Sequence, residues 1–329
     1  MAKLELSVAI GDYDRTRPLL DGSVPIDGVN PITMTLSPEE IFFRAFRHEE
    51  FDICELSLSS FAVKTASGDC AYVGVPAFLS RAFRHTSIYV RKDRVKTPAD
   101  LKDRKIGVAE YQLTANVWAR ALLADDHALL ASDPIWVRGG LEEPGRPEKI
   151  ALTLPACIRL EPAPAAACLS DLLADGEIDA IISPRAPSSH IRRASEIGWL
   201  FDDPAAAAAD YYRRRRVFPI MHLVGVRRRL ADNHPWLPGA VLKAFTQAKA
   251  LAFARLSDAA ASKVMLPFVE EQLLSARTLL GEDYWSYGLA PNLGTLENFL
   301  QHHHVQGLSR RLLAPQELFH ASTHETVKI

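Results

Sequence analysis

The sequence contains few cysteines, and they are not spaced as in a small secreted domain or a structural metal site. Its 329 residues include four cysteines, with no CxxC pair and no spacing typical of zinc. They are Cys54, Cys70, Cys157 and Cys168. We therefore expect reduced thiols and no disulfide framework. Cys54 lies within an apolar strand pattern, which indicates a buried core residue.

Long apolar runs and nucleotide-binding motifs are also missing. No stretch approaches the length that a membrane-spanning helix needs. The N-terminus lacks the apolar core and the small-residue cleavage site of a signal peptide, so we expect a cytoplasmic protein. The chain has no GxSxG, P-loop or GxGxxG motif, which removes support for a hydrolase nucleophile or a bound nucleotide.

Charge of one sign is not in excess. The formal net charge is -2, and Arg213–Arg216 is the only dense basic block. We therefore expect neither nucleic acid nor an anionic membrane as a partner. With 48% hydrophobic and 24% charged residues, the composition is typical of a globular protein, and the length suffices for two domains with buried cores.

The spacing of apolar residues predicts strands that alternate with helices, as in an α/β protein. Leu4–Ile10 has the alternation of a first strand, and Pro38–Arg47 has the periodicity of an amphipathic helix. Ile106–Val108 resembles a buried parallel strand, and a helix follows from Thr114, which is a plausible N-cap. A strand–turn–helix of this kind presents backbone N–H groups to an anion.

Two helix-to-strand junctions in the sequence are similar. Glu50-Phe51-Asp52-Ile53 and Glu177-Ile178-Asp179-Ala180 each lead into a short apolar strand that ends in polar residues. This similarity predicts two related α/β lobes. We expect residues 1–97 and 217–329 to form a discontinuous first lobe with C-terminal helices, and 98–216 to form the second. The active site is expected in the cleft between them.

Polar side chains follow several predicted strands, at the carboxyl ends where open α/β sheets bind ligands. Arginines are frequent among them, and a guanidinium holds a carboxylate through two N–H bonds. The sequence therefore predicts a small ligand with more than one anionic group. The candidate binding residues are Arg15, Ser57, Arg81, Arg84, Tyr111, Gln112, Thr114 and Arg185. The candidate catalytic residues are His85, His222, Glu55 and Glu110.

A metal site is the weaker alternative. The histidines at 302–304 are consecutive, so they cannot all face one side of a helix. His85, His222 and Glu55 could in principle form a site with two histidines and one carboxylate. Their wide separation in sequence gives this arrangement little support, and we expect no metal.

Several segments resemble the 4,5-dihydroxyphthalate decarboxylase family. They are Ser80–Thr86, Glu110–Trp118, Gly139-Gly140, Gly176–Ala180, Arg185–Pro187, Phe218–His222 and His234–Trp236. The segments at Glu110 and Phe218 are the more specific ones, and the resemblance runs from the first strand to near the C-terminus. It implies a type 2 periplasmic-binding-protein fold, no organic cofactor, and loss of one carboxylate from 4,5-dihydroxyphthalate to give protocatechuate.

The implied reaction needs a base at the phenol, an acid at the ring carbon that loses CO₂, and cations for the carboxylate that stays. The expected anion clamps are Arg15, Arg84 and Arg185, with the helix start at Thr114. The expected proton donor is His85 or His222, and the expected base is Glu55 or Glu110. The sequence does not choose between these pairs.

Two other functions are compatible with the sequence. One is a solute-binding protein for a small or aromatic dicarboxylic acid without catalysis, since a fold does not settle a function. The other is a related decarboxylase for a different hydroxylated aromatic acid. The excess of proton-transfer groups favours an enzyme. Assembly into a homo-oligomer is left open.

Overall fold

The computed structural model describes residues 2–260 and 263–325, which fold into two compact units. Unit 1 consists of Met1–Arg81, Ile220–Leu296 and Leu313–Ile329. Unit 2 consists of Ala82–Pro219 and Glu297–Leu312. Residue 1 and residues 326–329 of unit 1 lie outside the described residues.

Strands and helices alternate through most of the chain, as the sequence predicts. The strands are β1 (Leu4–Ile10), β2 (Val29–Thr35), β3 (Ile53–Ser57), β4 (Tyr72–Arg81), β5 (Ile88–Arg91), β6 (Lys105–Val108), β7 (Ile135–Arg138), β8 (Arg159–Pro162), β9 (Ala180–Ile182), β10 (Ile197–Trp199) and β11 (Ile220–Arg227). The helices are α1 (Arg17–Leu20), α2 (Pro38–His48), α3 (Leu58–Ser67), α4 (Thr114–His127), α5 (Leu169–Asp175), α6 (Ser188–Arg192), α7 (Pro204–Arg215), α8 (Arg228–Asn233), α9 (Leu237–Leu256), α10 (Val269–Leu280) and α11 (Leu293–Val305).

Unit 1 is built on a sheet with the strand order β2-β1-β3-β11-β4. β11 runs antiparallel to both of its neighbours, whereas β1 is parallel to β2 and β3. β3 is buried along its whole length and β4 nearly so, because helices cover both faces of a mostly parallel sheet. The pairing of His222 with Ser57 places the middle of β11 beside the carboxyl end of β3.

Unit 2 repeats this strand order with one additional strand at its edge. Its sheet has the order β10-β5-β9-β6-β7-β8, and β5 is the strand that runs against the others. β6 pairs in parallel with β7 and β9, as β1 pairs with β2 and β3 in unit 1. Each unit is therefore an α/β layer of mostly parallel strands.

Helix α2 shows how local sequence positions a residue near the candidate site. Ser37 is its N-cap and accepts a hydrogen bond from the backbone N–H of Glu40, and Pro38 occupies the first turn. Ile41, Phe42 and Ala45 form the buried face of the helix. This burial fixes the ring of Phe42 against the sheet.

The observed division of the chain differs from the expected one at three places, of which the smallest is the assignment of residues 217–219 to unit 2. Residues 82–97 belong to unit 2 because β5 pairs with β9 and β10 there, so the first crossing lies near residue 81 instead of 97. Residues 297–312 also belong to unit 2, where Phe299 packs on Trp118 at a ring distance of 5.2 Å. Helix α4 begins at Thr114, but Leu113 occupies its N-cap position.

No helix within residues 2–260 and 263–325 is long and apolar enough to cross a membrane. The four cysteines have free thiols, and Cys54 is fully buried as the strand pattern predicts.

Candidate active site

A carboxylate and a histidine form a close pair at the centre of the unit 1 sheet. Glu55 on β3 and His222 on β11 lie on the same face, since Val224 is the direct partner of Glu55 in the antiparallel register. The Nδ1 atom of His222 lies 2.6 Å from Glu55 Oε1. The Glu55 side chain is fully buried, whereas 18% of the His222 side chain is exposed.

The surroundings of His222 fix the orientation of its ring. The ring of Phe42 packs edge-on against the imidazole at a centroid distance of 4.8 Å. The pairing of β11 with β4 is irregular on both sides of His222, and such bulges re-aim side chains near active sites. A histidine that donates through Nδ1 to a carboxylate presents Nε2 for proton exchange with a ligand.

The turn after β1 supplies further donors to Glu55. The Tyr13 hydroxyl donates to Oε1 at 2.9 Å, and the backbone N–H of Gly11 donates to Oε2 at 3.1 Å. Thr16 holds the turn together, since its hydroxyl donates to the Gly11 carbonyl and accepts from the Tyr13 N–H. Both oxygens of Glu55 are therefore occupied, and the carboxylate is oriented toward His222.

Arg15 lies in the same turn, but the protein itself occupies much of its guanidinium. Its Cζ atom lies between the rings of Tyr13 and Trp285, at 4.4 and 4.6 Å from their centroids. Its Nε donates to the Leu79 carbonyl at 2.7 Å, and Nη1 lies 2.9 Å from Asp14 Oδ1. These contacts suit a supporting role better than that of an anion clamp.

Two other predicted binding residues of unit 1 are buried. Arg81 is 7% exposed and donates through Nη2 to the Ser286 carbonyl at 2.9 Å and to the Asn292 amide oxygen. This arginine therefore stabilises the loop around Ser286 that precedes α11. Ser57 is 3% exposed and lies at the N-cap of α3.

Unit 2 contains a second buried carboxylate, Glu110, in the turn between β6 and α4. Lys149 Nζ and Arg146 Nη2 each lie 2.9 Å from its Oε1 atom. The Gln112 amide donates to Oε2 at 3.3 Å. Burial alone would raise the pKa of Glu110, but the Lys149 and Arg146 cations outweigh it and hold the pKa below its ordinary value.

Side chains of α4 stabilise the backbone of this turn through hydrogen bonds. The Asn116 amide donates to the Glu110 carbonyl, and Arg120 Nη2 donates to the Tyr111 carbonyl, both at 2.8 Å. Arg120 also lies 3.9 Å from the centroid of the Tyr111 ring. Tyr111 and Gln112 are fully buried, so in this structure they are core residues of the unit.

His85 lies in an aromatic environment in unit 2. Its ring centroid is 5.1 Å from that of Phe201 and 5.7 Å from that of Tyr211. Burial lowers the pKa of His85 to about 4, so the imidazole is neutral at neutral pH. A neutral imidazole with so low a pKa is a poor reservoir of protons, and its environment is that of a packed histidine.

The remaining predicted binding residues differ in accessibility. Arg185 is exposed and follows the end of β9, where a ligand can reach it. Burial lowers the pKa of Arg84 to about 10, which leaves the guanidinium charged. Thr114 is 4% exposed at the start of α4.

A metal site in a protein requires several histidine, cysteine or carboxylate side chains grouped around one point. Within the part of the chain that the structure describes, no three His, Cys, Asp or Glu residues are grouped to hold a metal ion. The histidines at 302–304 make separate contacts, since His302 pairs with Asp125 at 2.9 Å and His304 bonds the Ser309 carbonyl.

The sequence interpretation missed the residues that support the two carboxylates. Tyr13 follows the first predicted strand, and this place at a strand end was the available signal. Phe42 carried only the signal of a helix core. Lys149 and Arg146 come from a segment without regular structure, and nothing in their spacing connected them to Glu110.

Two solved structures with a similar backbone are sulphonate-binding proteins. The periplasmic aliphatic sulphonate binding protein SsuA of Escherichia coli matches with a TM-score of 0.50 and 13% identity, over 98% of this chain and 99% of that one. The alkanesulfonate-binding protein SsuA of Xanthomonas axonopodis pv. citri gives 0.52 and 14%, over 98% of each chain. At these identities the likeness concerns the fold alone, and it confirms the type 2 periplasmic-binding-protein class.

Relatives in sequence are much closer. No protein-family model matches the chain. A 4,5-dihydroxyphthalate decarboxylase from Comamonas testosteroni is 58% identical over 330 residues, which is 100% of both chains. Another from Pseudomonas putida is 60% identical over 214 residues, covering 65% of this chain and 83% of the relative. The chain therefore belongs to the 4,5-dihydroxyphthalate decarboxylase family.

Proposed function

We propose that this protein is a carboxy-lyase that converts 4,5-dihydroxyphthalate to protocatechuate and CO₂ in phthalate degradation. The name of a relative that is 58% identical over the full length supports the substrate and the reaction. In the structure, the proposal depends on the 2.6 Å contact between a fully buried Glu55 and a partly exposed His222. A pair of this kind can deliver a proton at a fixed place.

The reaction replaces a carboxylate on the ring by hydrogen. The C–C bond to the carboxylate breaks, its electron pair stays on the ring carbon, and a proton takes up that pair as CO₂ leaves. A hydroxyl para to the leaving carboxylate feeds electron density to this carbon, which lets it accept the proton. No oxidant or reductant is consumed.

We assign the proton transfer to His222 and a supporting role to Glu55. The imidazolium delivers its proton through Nε2, while Glu55 at Nδ1 orients the ring and stabilises its positive charge. Water restores the proton after product leaves. Glu110 is less suited to be the base, because two cations hold its carboxylate.

For the carboxylates of the substrate we propose Arg84 and Arg185 in unit 2, with the helix start at Thr114. Guanidinium groups match the geometry of carboxylates, and the N-terminus of α4 favours negative charge. The exposure of Arg185 supports this role.

Incubation of the purified protein with 4,5-dihydroxyphthalate tests the proposal. We expect stoichiometric CO₂ and protocatechuate, measured by gas evolution and chromatography. Tight binding without turnover would contradict it and favour a solute-binding protein. A panel of other hydroxylated aromatic acids would reveal a related decarboxylase with a different substrate.

We propose that side chains perform the reaction without an organic cofactor or a metal. The supporting observation is that His222 and Glu55 together provide a proton donor and a charge partner. Activity that survives chelation, with no stoichiometric metal by elemental analysis, is the expected result. Loss of activity that a divalent ion restores would favour the metal-assisted alternative.

We further propose that the protein acts in the cytoplasm on this small aromatic dicarboxylate, without a nucleic-acid or membrane partner. Its near-neutral net charge supports the absence of polyanionic partners. Cell fractionation tests the compartment, and a periplasmic location would contradict it. Sedimentation measurements decide whether the chain forms a homo-oligomer.

A further inference from the structure

We infer that Tyr13 is a positioning residue for the pair Glu55 and His222, an inference that rests on the proposed function. Glu55 Oε1 lies 2.9 Å from the Tyr13 hydroxyl and 2.6 Å from His222 Nδ1. The tyrosine therefore shares the one oxygen atom against which the histidine is held. Any movement of the hydroxyl therefore changes the charge on Glu55 Oε1 and the orientation of the carboxylate that contacts His222.

The ring of Tyr13 is held by a stack that is anchored on β4. The guanidinium of Arg15 lies 4.4 Å from the Tyr13 ring centroid and 4.6 Å from that of Trp285. Arg15 Nε donates to the Leu79 carbonyl at 2.7 Å, and Trp285 Nε1 donates to the Phe78 carbonyl at 2.8 Å. Consecutive carbonyls of one strand thus fix the stack, so the hydroxyl is ordered before any ligand binds.

Gly11 is a requirement of this arrangement. A Cβ atom at this position would lie 2.5 Å from Tyr13 Cζ and 2.7 Å from its hydroxyl oxygen, closer than real Cβ contacts. Glycine therefore allows the tyrosine to pass directly over the chain and reach Glu55. The N–H of the same residue donates to the second oxygen of Glu55.

The chemical effect of Tyr13 follows from its hydrogen bond. An O–H group that donates to a carboxylate stabilises the ionised form and draws charge from the oxygen it contacts. Glu55 therefore presents less negative charge to His222 Nδ1 than a carboxylate without this donor would, and its orientation toward the ring is fixed by the Tyr13 hydroxyl. Because this action passes through Glu55, loss of the hydroxyl should lower kcat and leave KM nearly unchanged.

The test replaces Tyr13 by phenylalanine, which keeps the ring that stacks on Arg15. We expect Tyr13→Phe to lower kcat by about tenfold to a hundredfold, with KM within about twofold of the wild-type value. The matched control is Tyr72→Phe, which removes a buried hydroxyl of the same unit that donates to the Phe51 carbonyl at 3.0 Å. That variant should keep kcat.

A second measurement does not depend on turnover. The His222 Nδ1–H proton of the wild-type protein should give a far-downfield NMR resonance, which Tyr13→Phe shifts and Tyr72→Phe leaves in place. If the protein proved not to decarboxylate 4,5-dihydroxyphthalate, the proposed function would fail, whereas this signal would still report on the contact.

A double-mutant cycle separates action through Glu55 from a general structural role. In a Glu55→Gln background, Tyr13→Phe should cause little further loss of kcat, because the path of its action is already broken. Equal losses in both backgrounds, an unshifted resonance, or a rise in KM alone would each overturn the inference. So would a Tyr13→Phe protein that does not fold, since the hydroxyl would then be a structural contact.

Discussion

The two units each bury one glutamate completely, and the partners of these carboxylates differ in kind. Glu55 in unit 1 accepts from a phenol, a backbone N–H and a histidine, none of which carries a fixed charge. Glu110 in unit 2 contacts two cations, Lys149 and Arg146. A carboxylate beside a titratable ring can support proton transfer, whereas one between fixed cations is held ionised and serves structure.

The sheets around these carboxylates are otherwise closely similar. Val8 on β1 pairs with Ile53 on β3 in unit 1, and Ile106 on β6 pairs with Ala180 on β9 in unit 2, and both pairs of strands are parallel. Two residues further along β3 and β9, unit 1 has Glu55 and unit 2 has Ile182. The same backbone therefore carries a buried carboxylate in one unit and an apolar core residue in the other.

The largest effect is expected for the histidine that only the unit 1 carboxylate possesses. His222→Asn should lower kcat by about a hundredfold or more, because it removes the proposed proton donor. Steady-state kinetics of the folded variant measure this effect. His48→Asn, an exposed histidine at the end of α2, is the control and should keep wild-type kinetics. Near-normal turnover of His222→Asn would make His222 a packing residue.

The two glutamates should respond differently to the same substitution. Glu55→Gln should lower kcat by roughly a hundredfold while the protein stays folded, since the amide keeps the size of the side chain. Glu110→Gln should destabilise the protein by about 3–5 kcal/mol, because it leaves the buried cation of Lys149 without its charged partner. Denaturant unfolding and kinetics on both variants give the comparison, and a reversed outcome would exchange the roles of the two residues.

A smaller effect concerns pH and His85 of unit 2. Its pKa in the folded protein is about 4, below the ordinary value of 6.5. The unfolded chain therefore binds the proton first, and stability falls as pH drops from about 6.5 to about 4. His85→Phe should weaken the pH dependence of the unfolding free energy between about pH 4 and pH 6.5, and it should leave kcat intact. A large loss of kcat would instead assign a catalytic role to His85.

The carboxyl group of Glu110 should also make the folded protein less stable as pH falls, but at a lower pH than His85 does. Its pKa is depressed in the folded state, so its contribution to stability is present at neutral pH and is lost as pH falls through that depressed value. Glu110→Gln should therefore reduce the acid sensitivity of unfolding below about pH 4.5, the ordinary value of the group. Melting curves of both variants, recorded from neutral pH to below pH 4.5, separate the effect of Glu110 from that of His85.

The smallest effects are expected at the two matching junctions. Asp52 accepts from the N–H and hydroxyl of Ser7, and Asp179 accepts from the N–H of Lys105 at the corresponding position of unit 2. Each Asp→Ala change should cost about 1–2 kcal/mol of unfolding free energy. The loss of unfolding free energy at Asp179 should shrink more in high salt, because Arg94 pairs with it at 3.2 Å, whereas Arg227 lies 3.9 Å from Asp52. Equal salt dependence would contradict this difference.

Much of the fold could be predicted from local sequence. The alternation in Leu4–Ile10 and the helical spacing of Pro38–Arg47 appear in the structure with at most one residue of difference. The two junctions with their aspartates also predicted the repeated unit, because the same local sequence places a carboxylate beside the preceding strand. The boundaries between the two units were less predictable, since β5 belongs to unit 2 through its pairing with β9 and β10.

What the sequence by itself determined is the α/β class, the succession of elements and the family. Only the tertiary structure decided that His222 meets Glu55, 167 residues earlier in the chain, and that Glu110 meets Lys149 and Arg146. The physical reason is that the proton affinity of a buried group depends on its burial and its neighbours. Those neighbours come from strand register and from distant loops, which local residue spacing does not encode.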